Sequence, residues 1–338
     1  MKSWKISAFG IDHLKLEESP TPEPGPGQVL IEVKAASLNY RDLLIVEGKY
    51  DPKLLSSPRI PASDGAGVVV AVGKDVTRVK VGDRVCGIFM QNWLEGRLDA
   101  EKRAGALGGD LDGMLTTHAL LSEQGVVRFP DYLTFEEAAT LPCAAVTAWS
   151  ALVHAAKITA GQTVLIEGTG GVSIFALQLA KAMGARVLGT SSSDEKLERA
   201  RALGLDAGLN YRTRPDWENW VLEETEGRGA DLIVEVGGAG TLSKALRAVR
   251  IGGTIAQIGR AFTQAEGPLD LGQVLMRLIQ LKGIYVGSRE RFEAMNQALA
   301  QNQIRPVIDQ VFAFEQAPEA LRRMTSAQHF GKLVVRIG

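Results

Sequence analysis

Residues Thr163–Gly184 read TVLIEGTGGVSIFALQLAKAMG. An apolar, strand-like run gives way to Gly168, Gly170 and Gly171, and the chain continues with apolar residues at helical spacing. A glycine turn between a buried strand and a helix points free backbone N–H groups and the positive end of the helix dipole at a phosphate. The third glycine of the usual G-x-G-x-x-G spacing is replaced by Ser173. That position serves close helix–strand packing, whereas the earlier glycines let backbone approach a pyrophosphate. Gly168, Gly170, Gly171 and Val172 therefore read as a dinucleotide cradle, the alternative being a bare structural turn.

Outward from this stretch the pattern is strand, helix, strand, helix. Short apolar runs at 163–167, 185–190, 231–236, 253–259 and 281–286 suit buried parallel strands. In the first intervening helix Val172, Phe175, Ala176, Leu179, Ala180 and Met183 share one face. The second, SDEKLERARALG, begins with an N-cap serine and early acids and ends with bases and glycine. Residues 1–125 are instead β-rich, with turns at Gly73-Lys74 and Gly82-Asp83 and a polar, glycine-rich loop at about 91–113. The tail mixes a helix with the β-like segments PVIDQVFAF and KLVVRIG, which suits a return to the first domain. The expected architecture is α/β: a β-rich domain of residues 1–125 and 287–338, and a doubly wound parallel-sheet domain of residues 126–286.

The 338 residues suffice for two domains, and 45% apolar with 23% charged residues is a globular composition. A net charge of -1 argues against nucleic acid or an anionic membrane as partner. No apolar run reaches the roughly 20 residues that span a bilayer, and the N-terminus lacks the apolar region of a signal peptide. The two cysteines, Cys86 and Cys143, form no motif with each other. A cytoplasmic protein is expected.

The second strand of the α/β half indicates which nucleotide. An NAD site places Asp or Glu at that strand's tip for the ribose 2′-OH. Here the tip reads LGTSSSDEK, with hydroxyls from Thr190, Ser191, Ser192 and Ser193 and a cation from Lys196. These groups favour the 2′-phosphate of NADPH, while Asp194 and Glu195, in the first helical turn, face the dipole. Strand ends in such a sheet carry ligand contacts, so Gly237 and Gly238 in EVGG, Ile258 and Gly259 in QIGR, and Val286 in YVGS join the cofactor set.

Six stretches in order, NYRDLL, GAGVVVAVG, VGDRV, FEEAATLPCAAVTAWSAL, GTGGVSIFALQLAKAMGARV and HFGKLVVRIG, resemble the medium-chain dehydrogenase/reductase superfamily over nearly the whole chain. The resemblance implies a GroES-like domain and a Rossmann domain. It also locates the zinc ligands of the alcohol dehydrogenases at Asn39, at Ser63 and Asp64, and at Cys143, and the cysteine-rich structural zinc lobe at 91–113, which has no cysteine here. One thiolate with an amide and a hydroxyl is not a catalytic zinc site, and His118, His154 and His329 show no ligand spacing. No metal is expected, and Cys143 reads as a small buried hydrophobe.

The zinc-free branches that the chain resembles are the quinone oxidoreductases and the enoyl-thioester reductases, in which NADPH delivers hydride to an electron-poor carbon conjugated with a carbonyl. Lys196 and Tyr211 match residues that grip the 2′-phosphate in quinone oxidoreductases. The chain departs from those enzymes at Leu44, where they usually carry a tyrosine. Tyr40 and Tyr50 are the candidate phenols, with Asn39 and Tyr40 lining the nicotinamide pocket and Arg41 and Asp42 pairing as scaffold. Thr147 and Lys332 are further cofactor contacts implied by the resemblance. The expected assembly is a homodimer through the last Rossmann strand, LKGIYV. The alternatives are a metal-free alcohol/aldehyde dehydrogenase and a non-catalytic NADPH-binding sensor.

Overall fold

The computed structural model describes residues 1–51, 58–259 and 270–338. The chain forms two compact units, Met1–Val146 with Gly287–Gly338, and Thr147–Val286. The first boundary therefore lies later than the expected 125/126. Val126–Arg128 pairs antiparallel with Arg84–Gly87 and extends the first unit's sheet, which carries the following residues to 146 with it.

The second unit is a six-stranded parallel sheet in the order Ala207–Asn210, Arg186–Ser191, Thr163–Glu167, Ala230–Glu235, Val249–Gln257, Gln280–Gly283. Thr163–Glu167 is its first strand in sequence, and the winding reverses beside it, at the switch point where such sheets bind ligands outside their carboxyl ends. The sequence reading missed Ala207–Asn210: AGLN has little β-propensity, and the strand is a half-buried edge. It also overextended the last strand, because β pairing stops at Gly283 and Val286 turns to φ 55. A positive φ is strained for a β-branched residue.

The apolar centre of this sheet, including Leu165, Leu188, Ile233 and Ile255, packs with Trp217, Trp220 and Val221 of the helix Trp217–Glu224. The helix Gly171–Ala182 buries Ile174 and Leu177 in addition to the expected Phe175, Ala176, Leu179 and Ala180, while Val172 and Met183 lie at its partly exposed margins.

In the first unit the sheet order is Ile308–Ala313, Lys332–Arg336, Gln28–Leu38, Asp64–Val72, Arg84–Gly87, Val126–Arg128, and His118–Ser122 pairs with Gln28–Leu38 as well. The returning strand is antiparallel to Gln28–Leu38, with Leu333 opposite Leu38. This register sets Lys332 beside Asn39, the N-cap of the helix Tyr40–Val46.

The 91–113 excursion contains the short helix Ala100–Arg103. Its glycines allow backbone to lie against backbone: a Cβ on Gly108 would stand 2.8 Å from Ala62 C, and one on Gly113 would stand 2.2 Å from Ala62 O. Asp110 accepts from the N–H groups of Gly105 and Ala106, and Asp112 accepts from Ile60 N–H. Carboxylates thus tie this lobe together.

Phe175 is 2% exposed in the second unit. Phe175→Ala should destabilise that unit by about 3–5 kcal/mol through lost transfer energy and a residual cavity, measurable as a lowered urea midpoint.

Candidate active site

In the second unit, Gly168 turns the chain out of its strand at φ 66, and Gly170 is the N-cap of the helix Gly171–Ala182. A Cβ built at either position meets no atom within 4 Å, and no side chain caps the helix start. The first-turn N–H groups therefore face open space at the positive end of a helix, which fits a pyrophosphate. Ser173 is buried and donates from Oγ to Glu167 O at 2.7 Å. A serine can replace the usual glycine because the strand end accepts its hydroxyl.

The neighbouring strand ends complete this edge. The N–H groups of Ile258 and Gly259 donate to Glu235 O at 2.9 and 3.1 Å. A Cβ on Gly259 would lie 2.0 Å from Val236 O, so only glycine fits there. A Cβ on Gly237 would likewise meet Thr241 Oγ1 at 2.3 Å.

At the adjoining corner, Ser193 caps the helix Asp194–Ala202 by accepting from Lys196 N–H at 3.3 Å. Tyr211 N–H donates to Ser191 O at 3.0 Å, and the residue is 40% exposed. Ser191, Ser192, Lys196 and Tyr211 thus gather at the tip of the second strand. Asp194 and Glu195 occupy the first helical turn as expected. Thr147 is buried at the first position of the unit.

The first unit carries a buried hydrogen-bonded chain. Lys332, 3% exposed, donates from Nζ to Leu38 O at 2.7 Å and to Asn39 Oδ1 at 2.6 Å. Asn39 Nδ2 donates to Ser63 Oγ at 3.3 Å, Ser63 Oγ donates to Asp64 Oδ1 at 2.8 Å, and Asp64 Oδ2 accepts from Cys143 N–H at 3.2 Å. Asp42 accepts from Asn39 N–H at 2.8 Å and from Ser63 N–H at 3.2 Å. Burial pushes the Asp42 carboxyl up to about 6, with Arg41 opposing. Burial also raises Asp64, against the pull of Lys332.

Several expectations are revised by these positions. Lys332, expected at the cofactor, points into the first unit, where the strand register delivers its ammonium to Asn39. Tyr50 packs on the apolar core with the Arg41 guanidinium 5.3 Å from its ring centroid. Arg41 also stands 4.7 Å from the Phe89 ring and donates to Leu107 O, so its scaffold role extends beyond its 3.7 Å pairing with Asp42. Tyr40 opens its helix at 38% exposure. Cys143 is partly exposed rather than fully buried, and its thiol is pushed well up by local burial and by Asp64.

Zinc does not fit this donor set. Both oxygens of Asp64 are engaged, and Asn39 and Ser63 are neutral groups already bonded to Lys332 and Asp64, which leaves Cys143 as the one thiol among them. Among the described residues no group of three or more His, Cys, Asp or Glu could hold a metal ion.

Residues 25–131 match the model of the alcohol dehydrogenase GroES-like domain, and residues 171–301 match that of the zinc-binding dehydrogenase family. A zinc-type alcohol dehydrogenase-like protein of Schizosaccharomyces pombe is 44% identical, covering 97% of this chain and 96% of its own. This chain belongs to the medium-chain dehydrogenase/reductase superfamily. A solved NAD-dependent alcohol dehydrogenase superposes with a TM-score of 0.92 at 34% identity over the full length of both chains. A 2-octenoyl-CoA carboxylase reductase, solved with NADP and 2-octenoyl-CoA, superposes at 0.86 with 27% identity, covering 96% of this chain and 82% of its own. As a member of this superfamily the chain is an oxidoreductase with an α/β fold that joins a GroES-like and a Rossmann domain.

Sequence reasoning did not reveal the Lys332–Asn39–Ser63–Asp64 chain. Its one signal was three uncharged or acidic residues where zinc relatives keep ligands. Lys332→Met should remove the ammonium that compensates Asp64 and Asp42. The cost should be about 1–3 kcal/mol, the penalty of leaving the buried acceptors Leu38 O and Asn39 Oδ1 without their donor, measurable by urea unfolding at neutral pH.

Proposed function

We propose that the protein is a metal-free, NADPH-dependent reductase that directs hydride to the electron-poor carbon of a conjugated carbonyl in a quinone, an enone or an enoyl thioester. The observation that carries this reading is the hydrogen-bonded chain from Lys332 to Asp64 at the positions where zinc relatives keep their ligands. With zinc unable to polarise the carbonyl, hydrogen-bond donors must stabilise the charge that develops on its oxygen. Tyr40, exposed at the start of its helix, is the donor assigned to that oxygen, and Asn39 is held rigid beneath it by Lys332, Ser63 and Asp42.

When bound, reduced nicotinamide supplies the hydride. The N–H groups around Gly168, Gly170, Gly171 and Val172 hold the pyrophosphate. Ser191, Ser192, Lys196 and Tyr211 hold the 2′-phosphate, while Gly237, Ile258, Gly259, Val286 and Thr147 shape the rest of the cofactor site. The relative solved with NADP and an enoyl thioester supports this reading. The NAD-dependent alcohol dehydrogenase supports the second one, metal-free interconversion of alcohol and aldehyde.

A cytoplasmic homodimer remains our reading of the setting. No helix among the described residues is long and apolar enough to cross a membrane. Beside the edge strand Gln280–Gly283, Leu275 and Met276 are 74% and 81% exposed, which favours cover by a second copy. Sedimentation should give a dimer, and a Leu275→Glu, Met276→Glu double variant should shift it to monomer. We assign the 45–60 loop to the substrate pocket, and its residues 52–57 lie outside the described residues.

Initial rates of NADPH oxidation in EDTA, with a para-quinone, an enone, a crotonyl thioester and a short aldehyde, test the reaction. Turnover of any of the first three is expected. Turnover of the aldehyde alone would favour the second reading, and loss of activity on adding EDTA would return a metal to the site. Lys196→Ala should weaken NADPH relative to NADH by about ten- to a hundredfold, the loss of one charge-assisted hydrogen bond. Unchanged selectivity would remove Lys196 from the 2′-phosphate site.

A further inference from the structure

Two buried glutamates end neighbouring strands directly below the glycine cradle. Glu167 precedes Gly168, and Glu235 ends the parallel strand Ala230–Glu235, whose Val234 lies opposite Ile166. Continuing that register by one residue sets the two side chains side by side on the same face of the sheet. Glu167 is 5% exposed and Glu235 is fully buried.

Their surroundings differ. Glu235 accepts from Gly238 N–H at 2.8 Å, from Thr241 Oγ1 and from Gln257 Nε2 at 2.5 Å, as a carboxylate would. Glu167 accepts through one oxygen only, from Val236 N–H and Gly237 N–H, each at the long distance of 3.3 Å. Its other oxygen, Oε1, is buried and has no donor. An orphaned carboxyl oxygen beside a fully solvated-by-protein carboxylate is satisfied when it carries a proton and donates it. Burial first, and Glu235 second, raise Glu167 well above the ordinary carboxylate range. Glu235 is the charged group that acts on Glu167. The neighbours contributed by the flanking strands and the following helix, Thr190, Gln257 and Ser173, are uncharged.

We propose that Glu167 and Glu235 share a single proton, Glu167 as acid and Glu235 as carboxylate, and that this pair positions both cofactor loops and makes nucleotide affinity fall when the proton leaves. Both loops are tied to it. Glu167 leads into the Gly168–Gly171 turn, and its second oxygen holds the Val236–Gly237 turn; Glu235 holds Gly238 and Thr241. Loss of the proton sets two like charges side by side, which repel. It also adds a negative charge beneath the edge that would carry the pyrophosphate. The effect on affinity rests on the cofactor reading above; the shared proton does not.

The sign follows from linkage. The folded protein holds this proton more tightly than the unfolded chain, so the stabilisation is complete below the unfolded value near 4.5 and declines as pH rises towards the folded one. Glu167→Gln keeps a neutral hydrogen-bonding group and cannot titrate. In urea unfolding from pH 5 to 7, the wild-type folding constant should fall relative to that of Glu167→Gln by up to about tenfold per pH unit. Glu235→Gln, which removes the facing charge, should show a shallower fall than wild type against the same reference. Parallel pH dependence of wild type and Glu167→Gln would overturn the shared proton. Should Glu167→Gln not fold, the comparison of Glu235→Gln with wild type carries the test, and identical slopes there overturn it.

The binding arm is NADPH titrated into the full-length protein from pH 7 to 9.5. Wild-type affinity should weaken across this range while that of Glu167→Gln stays level; equal dependence, or none in either, would overturn the coupling to the cofactor. Failure of both proteins to bind NADPH at any pH would instead overturn the cofactor reading, with the unfolding result standing by itself.

Discussion

The buried ammonium of Lys332 is the constraint around which the first unit is arranged. A lysine cannot sit in a protein interior without counter-charge and acceptors. Leu38 O, Asn39 Oδ1 and the nearby carboxylate of Asp64 supply both. Because these partners lie on the Gln28–Leu38 strand, the helix start and the Ser63–Asp64 turn, the lysine can be satisfied only if the C-terminal strand returns in one register. The same contacts fix the orientation of the Asn39 amide, so its Nδ2 faces Ser63. Strand pairing, helix capping and the polarity of the site are thus one problem with one solution.

The second unit solves a different problem. A parallel sheet with consecutive crossovers leaves an opening where the winding reverses, and its strand ends there present backbone groups instead of side chains. Gly168 and Gly170 keep that opening unobstructed, and Gly259 lets two strand ends approach closely. The pair of glutamates beneath shows that this edge is not electrostatically inert. Its two turns are hydrogen-bonded to carboxyls whose charge depends on a single proton.

Much of this was legible in the sequence because it depends on local pattern. The alternation of apolar runs and helical faces gave five of the six strands of the second unit, and glycine spacing gave the turn that follows Glu167. The hydroxyl-rich tip at Thr190–Ser193 with Lys196 and Tyr211 was also visible, since it lies within one strand–helix unit and the start of the next. What escaped was whatever depends on residues distant in sequence. Lys332 and Asn39 are 293 positions apart, and no periodicity announces their meeting. The strand Ala207–Asn210 escaped for the opposite reason: its residues carry almost no intrinsic β preference and acquire their conformation from the neighbouring strand. Val126–Arg128 looked like the start of a new domain because three residues cannot show which sheet they will join.

The packing of Gly108 and Gly113 against Ala62 has an evolutionary consequence. Where two backbones touch without intervening side chains, neither segment can acquire bulk unless the other withdraws. Ala62 is itself held at φ 71 immediately before Ser63. Substitutions in the 105–113 lobe are therefore coupled to the turn that carries Ser63 and Asp64, and the two can diverge only together. A side chain at position 108 or 113 could be accepted only if the Ala62 backbone moved, and Ser63 would have to move with it.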